Sequence, residues 1–277
     1  MLKKAKLGVA IVAALGFGAL GCGDDDQAGT GGTGGTGATG GTGGSGGAGG
    51  GVEMAMVRVA HLAPEVPTAG DTNVDILIDG ATAIEDLEFA EATDFVELPV
   101  GNYIFGIAVA GDTTPVFEFP ATLEADAILT VVAYRTVASG AAAPVGVLVF
   151  DGTTNALLAG SGRVLVGHGA DDTLLDPVNV ITPANCPPIL LEDFEFGSQT
   201  PTPLDLPAGD VQLAFQLTSS LGCQVDAGPL VADVTADVVT ILVAVDNDVT
   251  DNMLGPAIYA IVDDFSGNDI PTLPAAP

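Results

Sequence analysis

The side chains of this 277-residue chain that could do chemistry are two histidines, three cysteines and a large set of aspartates. His61 and His168 would serve as general bases or ligands near neutral pH, and a carboxylate such as Glu65, Asp71 or Asp75 beside an imidazole could help hold a metal. One histidine per repeat, without a second histidine or cysteine, falls short of an ordinary zinc set. The expected role is structural: a strand-end imidazole bonded to carbonyls of the turn beneath it. Cys186 and Cys223 are expected to form a disulfide if the chain is exported, with a free or metal-bound state as the alternative. Closing that loop of about 38 residues would contribute about 4 kcal/mol by the chain-entropy argument. Asp171, Asp172 and Asp176, and then Asp246, Asp248 and Asp251, are weak candidates for calcium ligands, since they lack the glycine turn and closing glutamate of an EF-hand loop. Ser161, in Gly160-Ser161-Gly162, is one residue short of a nucleophile elbow. No catalytic residue, enzyme activity or other cofactor is expected.

The charge narrows the partners. Lys3, Lys4 and Lys6 are the only lysines, and no acid precedes Asp24. Removing residues 1–21 leaves 36 acids against Arg58, Arg135 and Arg163, a net charge of −33. Such a chain cannot neutralise phosphates, so nucleic acid and electrostatic docking on anionic lipid are excluded as partners. The 48% hydrophobic content and mean hydropathy of +0.49 argue against general disorder. The acids are 26 Asp to 10 Glu, and aspartate favours turns because its short side chain bonds to nearby backbone amides.

Those lysines form a basic segment before an apolar stretch, Leu7 to Leu20, short for a spanning helix and suited to an export signal. Ala19-Leu20-Gly21-Cys22 resembles the bacterial lipobox, with Leu20 one place closer to the cysteine than usual. The resemblance implies cleavage after Gly21 and a lipid-carrying Cys22 whose acyl chains hold the protein to a bilayer. An envelope location follows, with Gly23 favouring the outer membrane. Residues 29–51 contain 15 Gly, 5 Thr, 2 Ala and 1 Ser. They read as a flexible tether with a reach of about 25–30 Å.

The rest must position whatever the chain presents. From Val52 the pattern is short apolar runs of period two, broken by Gly, Pro, Asp and Asn, with no sustained helical period. Strands are expected at 55–60, 73–78, 103–109, 115–119, 128–135, 144–150, 163–167, 177–181, 211–217, 229–234, 238–245 and 257–262. Those at 128–135 and 238–245 are apolar on both faces, as central strands should be. The pattern repeats. Val57-Arg58-Val59-Ala60-His61 returns as Val164-Leu165-Val166-Gly167-His168, and Glu85–Phe89 returns as Glu192–Phe196. Leu98-Pro99-Val100-Gly101-Asn102 returns as Leu206-Pro207-Ala208-Gly209-Asp210, and Ile128–Ala133 as Val239–Ala244. Two all-β units of about 100 residues are expected, each a sandwich of immunoglobulin-like or transthyretin-like type. The expected divisions are 1–21 signal, 22–51 lipidated cysteine and tether, 52–151 first repeat, 160–265 second repeat and 266–277 tail.

Val57 to Pro67, Val74-Asp75-Ile76-Leu77-Ile78-Asp79-Gly80 and Leu98 to Tyr103 resemble the bacterial domain-of-unknown-function family numbered 4397. That resemblance implies an exported, often tandem, sandwich-like domain and assigns no activity. The resulting expectation is a membrane-anchored envelope or cell-surface lipoprotein displaying two binding or adhesion modules for a protein or glycan. The alternatives are a passive envelope spacer and a calcium-dependent adhesion module.

Overall fold

The computed structural model describes residues 52–63, 73–136, 145–152, 157, 159–170, 176–183, 189–220, 224–245 and 257–262. Residues 52–277 form one compact unit. Its described elements are seventeen β-strands, and none of the described residues is in an α-helix.

In the first repeat, β1 (Met54–Leu62) runs parallel to β8 (Ile128–Arg135), which pairs antiparallel with β9 (Val145–Asp151). The other edge of β1 takes β5 (Val96–Pro99) along its first half and β4 (Glu91–Ala92) near its end. A second sheet has the order β3 (Ala81–Leu87), β2 (Val74–Ile78), β6 (Gly101–Val109), β7 (Pro115–Leu123). Alternation sends Val57, Val59, Val74, Ile76, Phe105 and Val131 into one buried cluster between the two sheets.

The second repeat uses the same plan. β10 (Ser161–Gly169) is parallel to β16 (Val239–Val245), flanked by β13 (Leu204–Pro207) and β17 (Ala257–Val262). Facing that sheet is the order β12 (Ile189–Phe194), β11 (Val178–Ile181), β14 (Gly209–Leu217), β15 (Ala227–Val234). Val164, Val166, Val178, Leu213, Phe215 and Leu242 fill the space between them. Only β4 lacks a strand counterpart; a single bridge, Gly167 to Gln199, stands in its place.

The sheet built on β1 and that built on β10 are apolar on both faces, and a third core lies between them. It includes Leu62, Val132 and Leu148 from the first repeat with Leu165, Ile241 and Tyr259 from the second. The two sheets that share this core are the inner sheets, and the two carrying β6 and β14 are the outer ones. The layers therefore run outer, inner, inner, outer. The both-face apolarity of β8 and β16 has two sources: Val131 and Ala133 serve the first sandwich while Val132 and Tyr134 serve the junction.

Aspartates set the turns. Asp79, Asp86, Asp126, Asp193 and Asp237 all have positive φ, between 49° and 62°, a conformation that Asp tolerates better than most residues. Asp86 and Asp193 are repeat equivalents, as are Asp126 and Asp237, whose N–H groups donate to the carbonyls of Met54 and Ser161.

Candidate functional site

His61 and His168 lie at equivalent points near the ends of β1 and β10, both buried. Each ring meets a phenylalanine edge-on at an interplanar angle of 89°: His61 with Phe89 at 6.2 Å, His168 with Phe196 at 6.3 Å. The carbonyls of both histidines accept from the turn carrying that phenylalanine, at 2.8 Å from Ala90 N–H and 2.7 Å from Gly197 N–H. One step earlier, Val59 N–H donates to Thr93 Oγ1 and Val166 N–H to Thr200 Oγ1, while both threonine N–H groups return to the same valine carbonyls. Sequence reasoning missed this clamp, although Thr93 and Thr200 share the offset of 107 seen between the histidines.

Asp75 does not join His61 in a metal site. Its Oδ1 accepts from Asp86 N–H at 2.8 Å and its Oδ2 from Gly111 N–H at 2.9 Å. Those bonds satisfy a buried carboxylate. No group of three His, Cys, Asp or Glu side chains suited to a metal occurs among the described residues. Asp176 is exposed and accepts from Phe196 N–H at 2.9 Å. Asp171, Asp172, Asp246, Asp248, Asp251, Glu65, Asp71, Cys22, Cys186 and Cys223 lie outside the described residues, as do the signal and tether.

Both described buried arginines are held within the inner sheets. Arg58 Nε donates to Thr130 Oγ1 at 2.9 Å, and its guanidinium lies 4.6 Å from the centre of the Phe95 ring. Arg163 forms a two-point pair with Asp205, at 3.0 and 3.4 Å.

A solvent-facing hollow of about 460 Å³ lies at the end of the first outer sheet, lined by Asp79, Asn102, Tyr103, Ile104, Pro120 and Thr122 among others. The turn after β2 builds one wall: Asp79 Oδ1 accepts from Ile104 N–H at 2.9 Å, and Asp79 N–H donates to the Ile104 carbonyl at 2.8 Å. Thr122 Oγ1 donates to Asn102 Oδ1 at 2.8 Å across β6 and β7. Tyr103 donates to the Pro99 carbonyl at 2.8 Å. Desolvation and then the charge of Asp79 raise its hydroxyl above the ordinary value, so it stays protonated. Ile104 is 49% exposed, unusual for a large apolar side chain among the described residues. The hollow therefore offers the Asn102 amide, the Thr122 hydroxyl and the apolar Ile104 beside the Asp79 carboxylate, while Tyr103 alternates onto the inner face of β6 against the core. Tyr134 and Tyr259, the other tyrosines, are buried at the junction. A second cavity, about 10 Å³ among Val166, Phe215 and Leu242, is an apolar packing void.

No helix among the described residues is long and apolar enough to cross a membrane. Residues 55–179 match the model of a family described as Domain of unknown function (DUF4397). The match runs from the second residue of β1 through the rest of the first repeat and on into β11, bearing out the resemblance read from Val57–Pro67 and Val74–Gly80. No curated protein matches the chain.

Proposed function

We propose that this chain is a lipid-anchored envelope or cell-surface lipoprotein whose paired sandwiches form a binding or adhesion module. The hollow of Asp79, Asn102, Ile104 and Thr122 would receive the ligand. The observation that carries this reading is the exposed Ile104 set between the Asn102 amide and the Thr122 hydroxyl on the outer sheet, with the one nearby carboxylate, Asp79, bonded to the Ile104 backbone. Hydroxyl-rich, uncharged chains, such as neutral glycans, suit those groups. A polyanion would face the repulsion of a body with a net charge near −30. A tether of Gly and Thr between anchor and body supports display at a distance from the bilayer.

The test is to screen residues 52–277 against neutral and anionic glycans and envelope extracts, alongside Ile104→Asp and Asn102→Ala. Retention on a neutral glycan, weakened at least tenfold by Ile104→Asp, is the expected result. Consistent failure of the wild-type body to bind anything would overturn the binding reading in favour of a passive spacer.

A further inference from the structure

We infer that the inner face of the first repeat is a recognition surface for another sandwich of its own kind, and that this chain carries the partner it prefers as its second repeat. The buried cluster between the inner sheets draws seven residues from each repeat. Its ends are tied by crossed aromatic contacts. Phe89 of the first repeat meets Tyr259 of the second at 5.9 Å, and Phe196 of the second meets Tyr134 of the first at 5.7 Å. Each phenylalanine is thus held between its own histidine and the other repeat's tyrosine. This reciprocity is what a two-fold pairing of like domains produces.

The pairing is nevertheless not interchangeable, and two glycines show why. At Gly167 a Cβ would lie 2.6 Å from Leu148 Cδ1 and 2.7 Å from Phe150 Cζ, both on β9 of the first repeat. At Gly169 it would lie 2.9 Å from Cγ of Tyr134 on β8. The equivalent positions in the first repeat, at the same offset of 107, are Ala60 and Leu62. A second copy of the first repeat, docked in this geometry, would thrust those side chains into Leu148, Phe150 and Tyr134. The second repeat alone has the gap that fits them. It also has a clasp. The Gln199 amide accepts from Val149 N–H at 2.9 Å and donates to the Val149 carbonyl, engaging the outer edge of β9 as a neighbouring strand would. In the first repeat Ala92 holds the equivalent place and has no such group.

The surface can be tested in the full chain by replacing residues 153–158 with a specific protease site, cutting the purified protein, and following the halves by gel filtration and native mass spectrometry under reducing conditions. The halves should travel as one particle at micromolar concentration and below. Gly167→Ala with Gly169→Leu, which writes the first repeat's residues into the second, should weaken the association at least a hundredfold. Gln199→Ala, which leaves the core intact, should speed separation about tenfold and covers the case in which the double variant fails to fold. Wild-type halves that part on cutting would overturn the inference. So would halves whose association neither variant changes.

Discussion

Asp75 and Asn179 occupy one position in two copies, and the difference between them follows their donors. Asp75 receives two N–H groups, from Asp86 and Gly111. Asn179 Oδ1 receives one, from Asp193 at 3.1 Å. A carboxylate has acceptors for both donors, whereas an amide turns an NH₂ toward one of them. Asp75→Asn should therefore cost about 1–3 kcal/mol in urea unfolding, the penalty for a buried unmet donor. Asp226 gives the pH counterpart. Bonds from Leu217 N–H first and the Ser220 hydroxyl next, with Gln224 contributing less, hold its carboxyl below the ordinary 3.8. A lowered folded pKa means that its contribution is complete above 3.8 and is lost as pH falls from there through the folded value. The melting temperature of Asp226→Asn should lie below wild type at pH 7, with the gap closing in acid. The histidines were legible as a repeated strand-end pair from spacing alone. Their phenylalanine partners were not, because Phe89 and Phe196 reach them from a turn whose path the spacing does not specify.

Among the elements, the apolar pattern announced the longer strands more readily than the short ones. Period two found β6 and β14, and unbroken apolarity found β8 and β16. The strands it missed are β3, β4, β5, β12 and β13. β4, β5 and β13 are four residues or fewer, and the last two end at Pro99 and Pro207. β3 and β12 meet β2 and β11 with shifted register, so their alternation breaks. Both-face apolarity indicated central strands but not that two sheets would stack on each other, since either arrangement buries both faces. The β7 edge makes a prediction of its own. Ile104 directs its N–H and C=O toward Asp79, so its pairing with Pro120 is not hydrogen-bonded, and the proline nitrogen faces the open edge. Proline there removes a donor that another chain could use. Pro120→Val should leave the fold intact and raise aggregation on concentration, measured by light scattering.

For the molecule as a whole, composition shows strong negative charge, no lysine after residue 6 and a Gly- and Thr-rich stretch at 29–51 behind Cys22. If Cys22 carries the lipid, Cys22→Ser should move the protein from the membrane fraction to the soluble fraction, and the mature N-terminal peptide should lose its acyl mass. The hollow was not legible, because it needs Asp79 from one turn brought against Asn102, Ile104 and Thr122 from two other strands. Nor was the stacking that makes the two repeats one body. Scanning calorimetry of residues 52–277 tests that unity most directly. A single transition, with calorimetric and van't Hoff enthalpies in agreement, is the predicted result. Two separable transitions, one for each repeat, would contradict it.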